Sequence, residues 1–279
     1  MFNAQTINDR LKNFAKQHGI TDVTKARVSL CLERIIARLG QSDFLANHLI
    51  YGGGFVLYKE SNSNRYTMDA DAVVAGIGEE ELIKEVNSCL SLDLDDGFWF
   101  GDSIIEKLQT ESGYGGIRFK ILYKAGLPTP SNQEKQKLRR VHLDISIGVD
   151  LTDIATKSQL TSTLDIYENI DWNVYPPEFI CAEKIHCLLD RKSLNTRGKD
   201  VYDLNLLFNL VYDNKLIKAI KFTFQNRSFK TDSMYKLALE IDPENLKTNF
   251  NKSQFKNLSL SFDDCWNNVL LHLKKLDTL

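Results

Sequence analysis

Asp69 and Asp71 stand two residues apart in the run Arg65-Tyr66-Thr67-Met68-Asp69-Ala70-Asp71-Ala72-Val73-Val74. On a strand that spacing puts both carboxylates on one face and Met68, Ala70 and Ala72 on the other. Like charges held so close repel unless a cation sits between them. A magnesium ion, or manganese in its place, suits the position because it takes oxygen ligands and keeps room for substrate phosphates. The same pattern also fits a solvated strand edge. A further acid comes from Val141-His142-Leu143-Asp144-Ile145-Ser146-Ile147, where apolar residues alternate with His142, Asp144 and Ser146. If the two strands are neighbours, three carboxylates meet, as two-metal phosphoryl transfer requires. His142 shares that face and reads as a hydrogen-bonded surface residue. Gly52, Gly53 and Gly54, set between two apolar runs, read as strand, tight turn and helix. The bare N–H groups of such a turn make a phosphate cradle.

Chemistry also stands on the helical part of the chain. In Glu178 to Arg191, the residues Ile180, Cys181, Ile185, Leu188 and Leu189 form a broad apolar arc, and Lys184 falls inside it. A long cation there either snorkels outward or reaches an anion beside the helix. Asp200 and Asp203 likewise share their side of the next helix with Leu204, Leu207 and Phe208. One reading makes Asp200 a helix cap and pairs Asp203 with Arg197 or Lys184, joining two helices. The other sets Lys184 and Asp200 across an interdomain cleft from the carboxylates, with Lys184 neutralising phosphate charge and Arg197 and Lys199 adding contacts.

The elements that must position these groups follow from periodicity. Helices are expected over 5–18 and 22–40, the second with a stripe of Val28, Leu32, Ile35, Ile36 and Leu39. Strands are expected at Met68 to Val74, Gly97 to Phe100, Ile117 to Tyr123 and Val141 to Gly148, with a helix near Glu79 to Leu90. The polar, proline-bearing tract before the last strand reads as an exposed loop. After about residue 160 the strand pattern fades, and helical spacing takes over from Pro176 to Leu210, then near 214–220, 231–240 and 262–276. The expected class is α/β (α+β): a mixed-sheet domain with N-terminal helices over 1–160 and a helical domain over 161–279 completing the cleft.

Composition bounds the function. The 279 residues are 43% hydrophobic and 26% charged, enough for a sizeable core. A net charge of -2 excludes a globally basic nucleic-acid coat, so any polyanion must meet a local patch. Residues 113–141 offer one, with seven bases against Glu134 alone, while 79–106 carry nine acids against Lys84. The five cysteines are scattered without a C-x-x-C pair, which argues against a disulfide framework or a cysteine zinc site and for a reducing cytoplasm. Neither a signal peptide nor a membrane span is expected.

Taken together, YGGGFVLY, RYTMDADAVV, HLDISIGVD and PPEFICAEKIHCLLDRKSLNTRGKDVYDLNLLF resemble the AbiEii-type nucleotidyltransferases, the toxins of type IV toxin–antitoxin and abortive-infection systems. That family shows a GGTAL-like turn, an R-x-[ST]-x-D-x-D strand, a D-[IV]-x-x-G-D strand, and an A-E-K helix followed by N-T-R-x-K-D-x-x-D-L. The resemblance runs from about Tyr51 to Phe208. Gly54 stands where the family carries Thr, and the interval to Asp69 is slightly longer. By resemblance, Asp69 and Asp71 match the paired acids, Lys184 the essential lysine and Asp200 the downstream acid, with Asp203 close by. The implied fold is a polymerase-β-like nucleotidyltransferase domain followed by a mainly helical domain. The expected activity is magnesium-dependent transfer of a nucleoside monophosphate from an NTP. Gly52, Gly53, Gly54, Arg65, Thr67, Lys184, Arg197 and Lys199 would bind the NTP, while Asp69, Asp71 and Asp144 hold metal. Asp144 is alternatively a base toward the acceptor hydroxyl. Analogy, the basic stretch and the run Lys215, Lys218, Lys221, Arg227 and Lys230 point to tRNA or another RNA as acceptor, with a winged-helix antitoxin as partner. The rival readings are transfer to a protein or small molecule, and a degenerate nucleotide-binding module that sequesters a partner.

Overall fold

A computed structural model describes residues 4–61, 63, 65–108, 115–126, 129–148, 150–191, 196–253 and 260–279. Asn62 and Asn64, Leu127 and Pro128 of the proline-bearing tract, Val149 and Asn195 lie outside them. The chain forms two compact units, one of Met1–Ser61 with Tyr66–Tyr175 and one of Asn62–Arg65 with Pro176–Leu279.

The first unit runs α1 (Ala4–Gln17), α2 (Val23–Leu39), α3 (Asp43–His48), β1 (Ile50–Gly52), α4 (Gly53–Glu60), β2 (Asp69–Val74), α5 (Glu79–Leu90), β3 (Phe98–Leu108), β4 (Gly116–Ala125), α6 (Asn132–Lys135), β5 (Arg140–Ile147), β6 (Thr156–Leu160) and β7 (Ile170–Val174). The strands make one mixed sheet in the order β3-β4-β5-β2-β1-β7-β6. Only β2 with β5 and β1 with β7 are parallel among these pairings. In β2 the alternation expected of DADAVV appears as Ala70, Ala72 and Val74 buried and Asp69, Asp71 and Val73 half-buried. The central strand thus turns one row of side chains into the core and the acids toward the other face.

Helix α2 starts where the Asp22 carboxylate accepts a hydrogen bond from the Thr24 N–H. Its apolar stripe is buried, and so are Glu33, Arg34 and Arg38. Charges survive there because each is paired. Asp96 accepts from Arg34 Nε at 2.9 Å and from Arg38 Nη1 and Nη2 at 2.7 and 2.9 Å. Burial opposes the Asp96 charge, yet hydrogen bonding and the Arg38 charge hold its pKa below the usual carboxylate value. Glu33 accepts from Ser29, Lys59, Ser162 and Thr163.

The second unit holds α7 (Pro177–Asp190), α8 (Gly198–Leu207), α9 (Asp213–Asn226), α10 (Met234–Leu239), α11 (Pro243–Lys252) and α12 (Phe262–Leu276). Helix α8 packs on α7, α11 and α12. Its contact with α11 depends on Gly198, where a Cβ would lie 2.1 Å from the Leu246 carbonyl oxygen and 2.4 Å from the Phe250 nitrogen.

Several expectations need correction. Strand β3 does not stop at Phe100; it continues to Leu108 past an irregularity between Phe100 and Ser103. Gly101 and Asp102 interrupt the alternation there, and the outer half is an exposed edge. The sheet does not end near residue 160. β7 pairs with β1 and β6, so the unit boundary moves from 160 to 175. β6 is a polar edge, TKSQL, with Leu160 as its one buried residue, so no hydrophobic alternation betrays it. Helix α11 was not expected; its local signals are the Asp242 side-chain cap and Pro243 in the first turn, with Leu246 and Phe250 as its buried residues.

Among the described residues no helix is long and apolar enough to cross a membrane. The five cysteines carry free thiols. Burial pushes Cys89 and Cys265 up to about 11, and raises Cys31, Cys181 and Cys187 as well.

Candidate functional site

In the sheet unit the site is built where β1 gives way to α4. Tyr51 is buried in β1, Gly52 pairs with Asp71 in the β1–β2 ladder, and Gly53 takes φ +66. A Cβ on Gly53 would fall 2.0 Å from Asp71 Oδ2 and 2.8 Å from its Cγ. The Asp71 carboxylate therefore rests against bare backbone, and glycine is required both for the left-handed conformation and for the approach. No side chain caps the start of α4. The Tyr175 ring lies 3.8 Å from where a Gly52 Cβ would be, which adds a neighbour that the local sequence did not reveal.

Asp69 sits two residues earlier on the same face. The Thr67 hydroxyl, expected at the nucleotide, donates instead to Asp69 Oδ1 at 2.5 Å and orients that carboxylate. Parallel β5 lies beside β2 with Asp144 opposite Asp71 and His142 opposite Asp69, so the condition for the acids to meet, that the two strands be neighbours, is satisfied. The side chains do not converge equally. Both oxygens of Asp144 accept from Arg118 on β4, Nε at 2.8 Å and Nη2 at 2.6 Å. Among the described residues no group of three or more acids, histidines or cysteines is arranged to hold a metal ion. Of the three acids expected to hold metal, Asp69 and Asp71 stand beside the glycine turn and Asp144 is engaged by the Arg118 guanidinium. Two carboxylates and open phosphate positions still fit magnesium, which commonly takes one or two protein carboxylates. Arg118 was readable as a polar position in the alternating strand GIRFKILYKA, but its partner was not.

The helical unit holds a second constellation. Lys184 Nζ lies 2.7 Å from Asp200 Oδ1 and 2.7 Å from Asp203 Oδ2. Arg65 donates to Asp203 from Nε at 2.8 Å and Nη2 at 2.7 Å, and Arg197 Nε donates to Asp200 at 2.5 Å. The chain of charge runs Arg197, Asp200, Lys184, Asp203, Arg65. Both acids are fully buried and Lys184 and Arg65 nearly so. Burial penalises the Asp200 charge, but Lys184 and Arg197 outweigh it and hold the carboxyl far below its usual value. Asp203 is lowered in the same way by Arg65 and Lys184. Desolvation works against the Lys184 charge, while Asp200 and Asp203 raise its pKa.

Two expectations change here. Asp200 is no cap, because Arg197 holds the N-cap position and Asp200 uses its carboxylate on Lys184 and Arg197. Arg65, expected to hold a triphosphate, chelates Asp203. Lys199 is half-buried in the first turn of α8. A cavity of about 540 Å³ lined by Arg10, Phe14, Thr161, Asp165 and Tyr167 also exists in the sheet unit, and none of its lining residues is an acid or glycine of the candidate site.

Comparison with known proteins follows the same outline. A family model described as nucleotidyl transferase AbiEii toxin, type IV TA system, matches residues 34–268. No curated protein matches the sequence. The crystal structure of JHP933 from Helicobacter pylori aligns with a TM-score of 0.55 at 14% identity, covering 91% of this chain and 92% of that one. A proposed nucleotidyltransferase from H. pylori aligns with a TM-score of 0.53 at 15% identity, covering 91% and 95%. At such identities the likeness is one of fold.

Proposed function

We propose, since the chain belongs to the AbiEii family of nucleotidyltransferase toxins of type IV toxin–antitoxin systems, that it moves a nucleoside monophosphate from an NTP to the hydroxyl of an RNA acceptor such as a tRNA. The observation that carries this reading is the seating of Asp71 on Gly53, which sets a carboxylate directly against a turn of bare backbone. Gly52, Gly53 and Gly54 hold the triphosphate, and Asp69, oriented by Thr67, stands with Asp71 as the ligand pair for magnesium or manganese. Bound metal supplies charge neutralisation at the phosphates. The acceptor oxygen attacks the α-phosphorus, its proton leaves to a base, and the bond to the β-phosphate breaks with release of pyrophosphate.

Asp144 is the base or an additional ligand in this reading. Lys184 and Asp200 are retained as the residues that match the family's lysine and downstream acid, and Arg65, Arg197 and Lys199 as the cations around them. The family assignment implies an antitoxin as partner, and we place a winged-helix protein in that role. Incubation of the protein with each labelled NTP, magnesium, and total RNA or total protein tests the proposal. Label in RNA that vanishes with Asp69→Asn and Asp71→Asn supports it. Label in protein alone, or growth inhibition that survives both substitutions, overturns it.

A further inference from the structure

We propose that Arg118 is a positioning residue that holds the Asp144 carboxylate out of the metal-binding set and must release it before a third ligand can form. The inference rests on reading Asp69 and Asp71 as metal ligands. Strand register places Asp71, Asp144, Arg118 and Glu106 in one row across β2, β5, β4 and β3. Neighbouring strands are about 4.8 Å apart, so adjacent acids in such a row destabilise one another unless a cation intervenes. The cation the row supplies, Arg118, lies on the far side of Asp144 from Asp71, so it draws Asp144 away instead of sitting between the two acids.

The fork geometry matters more than the charge. Arg118 Nε and Nη2 take one Asp144 oxygen each, at 2.8 and 2.6 Å. A bidentate guanidinium pair is both stronger and more directional than a lysine contact, so it fixes the carboxylate plane toward β4. While they are held this way the lone pairs aimed at the guanidinium are withheld from a metal beside Asp71, in keeping with the lack of a three-ligand group among the described residues. The Arg118 side chain is 31% exposed against 14% for Asp144, so an entering anion or water reaches the fork from solvent. Arg118 also feels the charges of Asp69 and Glu106, and Lys120 in the next row pairs with Glu106 rather than with either β2 acid.

The test is Mn²⁺ binding to the full-length protein, read from the free-ion electron paramagnetic resonance signal. Arg118→Gln is expected to bind about tenfold more tightly than wild type, the size of effect that outer-shell partners of metal ligands have, with Arg118→Lys between the two. The neutral pair Arg118→Gln with Asp144→Asn is expected to match wild type, because in the held state Asp144 contributes no ligand. Unchanged or weaker binding by Arg118→Gln, or weaker binding by the neutral pair, overturns the proposal. The neutral pair keeps both side-chain shapes and serves if Arg118→Gln does not fold. Binding that ignores Asp69→Asn with Asp71→Asn overturns the underlying metal reading, and the Arg118 role with it; sensitivity there combined with no effect at Arg118 overturns the Arg118 role alone.

Discussion

Gly53 is the residue on which the candidate site turns. Its φ of +66 costs an L-residue about 1–2 kcal/mol, and any Cβ must displace the Asp71 carboxylate. Gly53→Ala is therefore expected to abolish metal-dependent NTP binding, measured by equilibrium titration, while the far-ultraviolet spectrum stays native. Lys184 gives a contrasting case. Lys184→Met leaves Asp200 and Asp203 buried without their shared cation, and the loss of about 3–5 kcal/mol typical of a broken buried pair should appear in urea unfolding. The pH dependence follows from the directions of the shifts. Asp200 and Asp203 are lowered on folding, so their contribution is full above the ordinary carboxylate value near pH 4 and declines as pH falls further. Lys184 is raised, so its contribution is full below about pH 10 and is lost as pH climbs through its folded value. Asp203→Asn should flatten the acid limb of the stability profile. At this scale the sequence disclosed Asp69 and Asp71 through a period of two, and Lys184 through its place on an apolar arc. It hid Arg118–Asp144 and Arg65–Asp203, because such partners are chosen by register and packing between segments far apart in the chain.

Elements succeed or fail as units. Arg38 on α2 binds Asp96 with two nitrogens and the Phe98 carbonyl with a third contact, tying a core helix to the start of β3. Arg38→Ala should cost about 3–5 kcal/mol and broaden the unfolding transition seen by tryptophan emission. Gly198→Ala forces α8 away from α11, and overpacking of this kind costs about 1–3 kcal/mol; a melting curve reads it, with Gly198→Ser expected to be no better. The strands with buried alternation, β2, β4 and β5, were legible as such. The missed elements are α3, α6, β6, β7 and α11; α6 lies in the tract expected as an exposed loop, β6 is polar, and α3, α6 and α11 are marked by side-chain caps instead of a long apolar repeat.

For the whole molecule, charge counted along the chain differs from charge arranged in space. The basic stretch of 113–141 pairs Arg118 with Asp144, Lys120 with Glu106 and Lys124 with Glu134. Within that stretch, the exposed cations outside these ion pairs are Lys137, Arg139 and Arg140. Substituting Lys137 and Arg139 by Glu is expected to raise KM for an RNA acceptor several-fold at 150 mM salt with kcat unchanged, and to flatten the salt dependence. The family and the mixed-sheet class were readable from four separated motifs; the division into units was not, since the polar edge strand β6 and the inner strand β7 carry the sheet fifteen residues beyond the fading of the pattern.

The native thiols have a practical corollary. With four of the five native sulfhydryls buried and all five pushed up by burial, maleimide reagents find less accessible thiolate in the folded chain than at an ordinary exposed cysteine. A single cysteine introduced on the surface could then carry a fluorophore or spin probe selectively, without a cysteine-free background, and alkylation of the native sites would itself report unfolding.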